Sequence, residues 1–283
     1  MIDIRDDEDQ VDEELESLEI QLLLDGVHRR YGFDFREYAY PSLRRRIRKI
    51  VNAEGVQTVS ELQAKVLHDP ACWGRFLRGI SVHVTSMFRD PPFYKAFRTK
   101  VVPMLRDLPF IRIWHVGCAS GEEVYSLAIL LEEEGLYSKC RVYATDINQT
   151  VLGRARTAIY PQSAMQGYTR NYLESGGERS FSQYYTASYG NAILRASLKE
   201  NVVFSRHNLV SDGAFNEFHV ILCRNVLIYF SKPLQNRVHE LLYTSLTDHG
   251  ILGLGNRESI GYTPHEDDYR AVAADERIYQ RIS

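Results

Sequence analysis

The stretch Ile111-Arg112-Ile113-Trp114-His115-Val116, followed by Gly117-Cys118-Ala119-Ser120-Gly121-Glu122-Glu123, decides the fold of this 283-residue chain. Its first six residues have the apolar character of a short buried strand, and a helical pattern follows at residues 121–134. Between strand and helix, two glycines bracket a tight turn at which the backbone can approach a ligand closely. This order predicts the start of a parallel α/β sheet, in which ligands bind beyond the carboxyl ends of the strands.

The alternation of strand and helix continues downstream of this turn. Strands are expected at residues 141–146, 201–204, 219–223 and 251–254 and near 278–279, helices at 149–158 and 233–247, and a turn at Asp248-His249-Gly250. Such alternation indicates a mainly parallel, doubly wound sheet. Residues 160–200 interrupt it and are rich in Tyr, Ser and Gly, so we interpret them as an insertion.

Two carboxylates at the turn indicate the class of cofactor. Glu122 and Glu123 stand where a dinucleotide-binding fold would receive pyrophosphate at a helix N-terminus. Their charge repels phosphate but tolerates an adenosine sulfonium, so the turn favours S-adenosylmethionine over NAD. Asp146, at the end of the second predicted strand, can accept hydrogen bonds from both ribose hydroxyls. An aspartate before a helix is also a common helix cap, and that alternative stays open.

Upstream of the sheet, residues 18–80 have helical periodicity. Pro41 suits the first turn of one helix and Gly55 suits its end. The apolar stripe of this helix leaves a basic face opposite, which is either a solvated surface or a binding surface and consists of Arg44, Arg45, Arg48 and Lys49, without neutralising acids. Residues 1–17 are dense in carboxylates, and we expect them to form a flexible acidic tail that runs into a helix.

Composition excludes several classes of protein. The formal net charge of −3 disfavours a general polyanion binder, and 44% hydrophobic residues suffice for a core. The four cysteines include no Cys-x-x-Cys pair, so we expect reduced thiols and no metal. No apolar stretch reaches the roughly 20 residues of a membrane span, and the first residues lack the apolar core of a signal peptide. Both observations predict a soluble intracellular protein.

Five motifs of the chain form a specific combination. They are Val84-Thr85-Ser86-Met87-Phe88-Arg89-Asp90, Gly117-Cys118-Ala119-Ser120-Gly121-Glu122-Glu123-Val124-Tyr125-Ser126, Ala144-Thr145-Asp146-Ile147, His207-Asn208-Leu209 and Cys223-Arg224-Asn225-Val226-Leu227-Ile228-Tyr229-Phe230. Together they resemble the CheR chemotaxis methyltransferases, and the similarity spans roughly residues 18–283. The last motif is the most specific of the five.

The resemblance implies both a fold and a reaction. It implies a small all-α N-terminal domain at 18–82, a linker helix region at 83–109, and a Rossmann-like methyltransferase domain at 110–283 that carries a small inserted β-subdomain at about 160–200. It further implies a cytoplasmic enzyme that methylates glutamate side chains of methyl-accepting chemoreceptors or related signalling proteins. The methyl donor would be S-adenosylmethionine and the product S-adenosylhomocysteine. We expect a monomer without membrane insertion or a nucleic-acid partner.

The resemblance also assigns site residues, position by position. The expected cofactor contacts are His83, Thr85, Arg89, Gly117, Glu123, Asp146, Asn208, Leu209, Arg224 and Asn225. Arg89 and Tyr229 are the candidate catalytic residues, because a guanidinium can pair with the cofactor carboxylate and Tyr229 matches a tyrosine near the transferred methyl group. Packing of Tyr229 with Phe230 is the alternative. His83 replaces the usual Asn and can titrate near pH 6.5, so cofactor affinity is expected to depend on pH.

The same resemblance assigns Arg44, Arg45, Arg48 and Lys49 to receptor binding. The segment Gly255–Ser259 is only loosely similar to the family's His-Ser-Glu-Asn segment. Two other functions stay open. Asp90-Pro91-Pro92-Phe93 matches the signature of nucleic-acid amino-methyltransferases, although no target-recognition domain follows. The chain is alternatively a sensor that binds S-adenosylmethionine and docks to a signalling protein without catalysis.

Overall fold

The computed structural model describes residues 4–81 and 85–282, with side chains described for 12–81 and 85–282. The chain divides into two compact units. The first comprises residues 1–82 and 229–234, and the second comprises 83–228 and 235–283. None of the described helices is both long enough and apolar enough to cross a membrane.

The first unit is helical, as predicted. Its helices are α1 (Ile4–Tyr31), α2 (Tyr40–Glu54), α3 (Val59–His68) and α4 (Pro70–Ile80). Helix α2 has Pro41 in its first turn and Gly55 as its C-cap. Helix α3 has Thr58 as its N-cap, and the Thr58 side chain accepts the backbone N–H of Glu61. The buried faces of the four helices meet in one core that includes Leu23, Val27, Ile47, Leu62 and Phe76.

The acidic stretch at the start of this unit differs from the prediction of a flexible tail. Helix α1 already begins at Ile4, so residues 4–17 are helical. The sequence pattern suggested unbalanced carboxylates, but Glu13 and Glu16 form ion pairs with Arg44 and Arg48 of α2. These pairs also correct the prediction that the basic face lacks neutralising acids. Both errors have one cause, because the opposite charges lie on different helices.

The second unit contains a seven-stranded sheet in the order β6-β2-β1-β7-β8-β10-β9. Its strands are β1 (Ile111–Val116), β2 (Cys140–Asp146), β6 (Val202–Arg206), β7 (Phe218–Cys223), β8 (Leu246–Leu254), β9 (Tyr269–Ala273) and β10 (Ile278–Arg281). The first five strands of that order pair in parallel, and β10 pairs antiparallel with both of its neighbours. A mainly parallel sheet is thereby confirmed.

Helices precede and follow these strands. They are α5 (Pro91–Ala96), α6 (Val102–Leu105), α7 (Glu122–Glu133), α8 (Gln149–Thr157), α9 (Met165–Glu174) and α10 (Lys232–Thr244), and a π-helical turn at Phe97–Val101 joins α5 to α6. Helix α7 directly follows the glycine turn and is buried over most of its length. All four cysteines of the chain are free and buried.

The insertion forms a separate small sheet, as expected. Strands β3 (Ile159–Pro161), β4 (Tyr185–Ser188) and β5 (Asn191–Leu194) pair antiparallel in the order β3-β5-β4. Two details of the large sheet differ from prediction. The expected turn at Asp248-His249-Gly250 lies within β8, where His249 has a φ of 60° and the pairing with β7 shifts register. Strand β9 was not predicted from the sequence.

Candidate cofactor site

The parallel strands bring four connecting segments to one edge of the sheet in the second unit. Strand β1 lies between β2 and β7, and β6 is the outer neighbour of β2. Because all four strands are parallel, the segments after them begin at the same edge. Most of the predicted cofactor residues occupy these segments, so the topology brings together residues that are distant in sequence.

The turn after β1 has a backbone that requires glycine at two points. Gly117 has a φ of 61°, and a Cβ atom at this position would lie 2.5 Å from Cγ2 of Val226. Gly121 has a φ of 91° and lies against Ala155, which is 3.0 Å from the corresponding Cβ position. Residues with side chains seldom adopt such φ values, and here they would also clash. The turn is therefore closely packed.

Asp146 joins this turn to the segment after β2. One carboxylate oxygen accepts the N–H of Ala119 at 3.0 Å, and the other accepts the N–H of Asn148 at 2.9 Å. Asn148, rather than Asp146, caps helix α8, because its side chain accepts the N–H of Thr150. The alternative of Asp146 as the helix cap is therefore wrong. Burial raises the pKa of the Asp146 carboxyl group.

A buried group of charges lies beside the turn, with Arg224 at its centre. One terminal nitrogen of Arg224 donates to Glu123 at 2.8 Å, and the other donates to Asp90 at 2.8 Å. Both nitrogens also contact the carbonyl oxygen of Arg89, and the guanidinium lies 4.1 Å from the ring centroid of Phe93. Burial raises the pKa of Glu123, against the opposing effect of Arg224. Asp90 and Phe93 of the Asp-Pro-Pro-Phe motif thus both contact the guanidinium of Arg224.

Arg89 also influences this charged group electrostatically. Its side chain is half-buried, and its charge acts on Glu123 in the direction that lowers the pKa of that carboxyl. Thr85 is half-buried in the segment that leads to Arg89. His83, the residue that replaces the family's usual Asn, lies outside the described residues.

The segment after β6 is stabilised by its own polar groups. The side chain of Asn208 is buried and accepts the N–H of Val210, and the backbone N–H of Asn208 donates to Asp212 at 2.9 Å. Leu209 is half-buried within this turn. These bonds fix the backbone at both predicted adenine-flanking positions.

Glu258 is a site residue that the sequence did not single out. Its buried carboxylate accepts four backbone N–H groups at 2.7–2.8 Å, and these belong to Asn225, Val226, Leu227 and Gly255. Asn225 has a φ of 60°. The weak similarity of Gly255–Ser259 to the family segment was the available signal, and its glutamate proves to hold the segment after β7.

Tyr229 belongs to the first unit. Its carbonyl oxygen accepts the N–H of Ala39 at 2.8 Å, and the guanidinium of Arg46 lies 4.6 Å from its ring centroid. Arg46 is itself buried, and it donates to the carbonyl oxygen of Ile80 and to the Ser42 hydroxyl. The ring of Tyr229 is therefore held by a cation from α2. Its catalytic role stays a prediction.

Two family models match the chain in succession. The CheR methyltransferase all-alpha domain matches residues 18–81, and the CheR methyltransferase SAM binding domain matches residues 83–278. The chain belongs to the CheR methyltransferase family. As a CheR-family methyltransferase, it uses S-adenosylmethionine as its cofactor, and the predicted combination of an all-α domain with a Rossmann-like domain is confirmed.

Individual relatives extend along most of this CheR-family chain. Cher3 of Pseudomonas putida, named as a methyltransferase, is 45% identical over 264 residues, which are 93% of this chain and 97% of Cher3. A chemotaxis protein methyltransferase of Listeria monocytogenes is 27% identical over 236 residues, covering 83% of this chain and 87% of that protein. Among solved structures, the N-methyltransferase NodS from Bradyrhizobium japonicum, in complex with S-adenosyl-L-homocysteine, aligns at 15% identity with a TM-score of 0.34, covering 69% of this chain and 70% of NodS.

The residues of the second unit fit the cofactor of the CheR family. Gly117 permits a close approach of the backbone, and Asp146 lies in the turn that would face a ribose. Among the described residues, the buried Oδ1 of Asn225 and the Nε of Arg224 have no hydrogen-bond partner. Buried polar atoms usually have partners, so these two are available to a ligand or a water molecule.

Proposed function

We propose that this protein is a protein-glutamate O-methyltransferase, which methylates glutamate side chains of chemoreceptors or similar signalling proteins in the cytoplasm. The observation that carries the proposal is the match of both CheR domains along the chain. The names of several relatives at 26–30% identity, which are chemotaxis protein methyltransferases, support the substrate class.

The chemistry of such a reaction makes few demands on the protein. A glutamate carboxylate has a solution pKa of about 4.3 and is already ionised at neutral pH, so no general base is needed. S-Adenosylmethionine, when bound, supplies a methyl group on a positively charged sulfur. The residues must orient the carboxylate toward that carbon and exclude water from it.

We assign individual roles to these residues from their match to positions of the CheR family. Asp146 would accept the ribose hydroxyls, and Asn208 and Leu209 would flank the adenine. Arg89 would pair with the cofactor carboxylate, because its half-buried guanidinium can form two parallel hydrogen bonds with a carboxylate group. Further cofactor contacts would come from Thr85, Gly117 and Asn225. Arg224 would hold the carboxylates of Glu123 and Asp90 in place. Tyr229 would orient the substrate carboxylate.

The basic face of α2 is the surface that we propose for the receptor. Arg45, Arg48 and Lys49 are exposed, and Arg44 is half-buried. A segment that is methylated on glutamate carries at least one carboxylate, so a cationic surface complements its charge. Charge complementarity of this kind increases the rate of association and depends on ionic strength.

The test is incubation with radiolabelled S-adenosylmethionine and a panel of purified receptor signalling domains, followed by release of volatile methanol in base. Base-labile label on a receptor, absent with the Arg89→Ala variant, is the expected result. Tight cofactor binding by calorimetry, without ester on any receptor, would contradict catalysis and favour the sensor. Label that resists base on protein or nucleic acid would contradict the proposed acceptor.

A further inference from the structure

The basic face of α2 already has an acidic neighbour within the first unit. Glu16 of α1 accepts hydrogen bonds from Arg44 at 2.7 Å and from Arg48 at 2.5 Å. Glu13 accepts a second bond from Arg44 at 3.0 Å. The hydrogen bond from Arg48 is the largest cause of a lowered pKa of Glu16. Partial burial acts in the opposite direction, and the hydrogen bond from Arg44 lowers the pKa further. Two of the four cations are thus paired with carboxylates from this chain.

The contact depends on charge and not on apolar packing. Across residues 12–19 of α1 no side chain is fully buried, and Ile20 is the first buried residue of the helix described. Leu15 and Leu18 are 55% and 52% exposed, so they do not hold the helix against its neighbours. Ion pairs near a protein surface contribute little to stability and weaken with salt, and the partners of Glu16, Arg44 and Arg48, are 23% and 59% exposed. The carboxylates of Glu13 and Glu16 can therefore be replaced on Arg44 and Arg48 without disturbing the apolar core, which begins at Ile20.

Residues 12–19 of α1, the acidic stretch of this helix, resemble in charge and helical structure the partner that we propose for α2. They are dense in Asp and Glu, and they present Glu13 and Glu16 to the guanidinium groups. Arg45 and Lys49 are exposed and form no ion pair with any side chain that the structure describes. An incoming acidic helix would meet these two cations first and would then compete for Arg44 and Arg48.

We propose that the acidic stretch of α1, residues 12–19, is an internal competitor that occupies half of the docking surface on α2. A partner with an acidic helix binds fully only when it replaces Glu13 and Glu16 on Arg44 and Arg48. This inference rests on the proposed function, since it assumes that α2 receives an acidic helix. Its consequence is a lowered affinity that selects for dense acidic segments.

The test is a titration of the full chain with a fluorescent, Glu-rich amphipathic helical peptide, followed by anisotropy at low and high salt. The variant Glu13→Gln/Glu16→Gln should bind the peptide about threefold to tenfold more tightly than wild type at low salt. The matched control is Asp12→Asn/Glu14→Gln, which removes the same charge from side chains without a described ion pair. It should bind within about twofold of wild type.

Two further arms keep the result interpretable. Glu13 is 67% exposed in its ion pair, so Glu13→Gln alone should fold and should show a smaller gain in the same direction. Replacing Arg44 and Arg48 with Gln should cost more peptide affinity in the Glu13→Gln/Glu16→Gln background than in wild type. Equal affinity of wild type, variant and control would overturn the competition while leaving the docking surface intact. Absence of binding by every protein would remove the docking surface and this inference together, whereas the radiolabel assay tests methyl transfer separately.

Discussion

The carboxylate of Glu258 accepts the backbone N–H of Asn225 at 2.8 Å, and Asn225 is held in the left-handed region with a φ of 60°. The same carboxylate accepts the next two N–H groups along the chain and that of Gly255. Four donors on one buried anion exceed what a neutral side chain can satisfy. Glu258 therefore determines the backbone at a predicted cofactor residue, although it is not itself one.

Replacing Glu258 with Gln should destabilise the second unit and weaken cofactor binding. The amide group keeps one acceptor oxygen and turns two donors toward N–H groups, so buried donors lose their partner at a cost of about 3 kcal/mol. Urea unfolding and calorimetry with S-adenosylhomocysteine measure the two effects. The exposed Glu174→Gln is the matched control and should behave as wild type. Unchanged affinity in Glu258→Gln would separate this carboxylate from the cofactor site.

The sequence was sufficient where the relevant groups are close along the chain. The strand before Gly117, the helix after it and the position of Asp146 follow from local patterns, and the structure places them as expected. The sequence was insufficient where partners are distant. Glu258 lies 33 residues from Asn225, and Glu16 lies 28 residues from Arg44. Nothing in local periodicity specifies such pairs.

The boundary of β8 illustrates a second limit. Asp248-His249-Gly250 has the composition of a turn, and His249 does adopt a positive φ of 60°. The strand nevertheless continues from Leu246 to Leu254, because pairing with β7 resumes at Ile251 after a shift of register. Turn chemistry therefore predicted the irregularity correctly but not its consequence, which pairing across the sheet decides.

Gly117→Ala should weaken cofactor binding, and Val226→Ala should restore part of it. The added methyl group would lie 2.5 Å from Cγ2 of Val226 but 3.7 Å from its Cβ, so truncating Val226 removes the main clash. The strain of alanine at a φ of 61° remains and costs about 1–2 kcal/mol. Calorimetry on the two single variants and the double variant measures the recovery. A double variant no better than Gly117→Ala would show that the clash with Val226 does not cause the defect.

Arg224→Met should destabilise the second unit by about 3–5 kcal/mol, because it leaves the buried carboxylate of Glu123 without its counter-charge. Adding Glu123→Gln to this variant should restore part of the stability, since the uncompensated charge is then absent. A double-mutant cycle by urea unfolding measures the coupling, with Arg45→Met as the exposed control. Strictly additive losses would contradict a direct interaction between the two residues.

The ion pairs of His265 predict a pH-dependent stability. Burial lowers the pKa of His265, but hydrogen bonds with Asp268 and Glu240, each at 2.7 Å, outweigh it and raise the pKa above 6.5. A histidine whose pKa is raised on folding stabilises the protein fully below its unfolded pKa, and the gain is lost as pH rises through the folded value. His265 also stacks on Tyr243.

Thermal unfolding from about pH 6 to about pH 9 should therefore show a greater loss of stability in wild type than in His265→Gln. The variant keeps hydrogen-bonding capacity but cannot titrate, so the difference between the two curves isolates the imidazole. The midpoints should differ most at the acidic end and converge toward the alkaline end. Parallel curves across this range would contradict a folded pKa above the unfolded one.

Tyr229→Phe should lower the rate of methyl transfer by on the order of tenfold, which corresponds to the loss of one hydrogen bond, and the fold should be retained. Phenylalanine keeps the ring on which the Arg46 guanidinium lies at 4.6 Å, so the packing within the first unit survives and only the hydroxyl is removed. Initial rates with labelled cofactor measure the effect, thermal midpoints verify the fold, and Tyr40→Phe, at a more exposed tyrosine of the same unit, is the control. A wild-type rate in Tyr229→Phe would reduce the role of this tyrosine to packing against Arg46, and the orientation of the substrate carboxylate would then have to come from other groups.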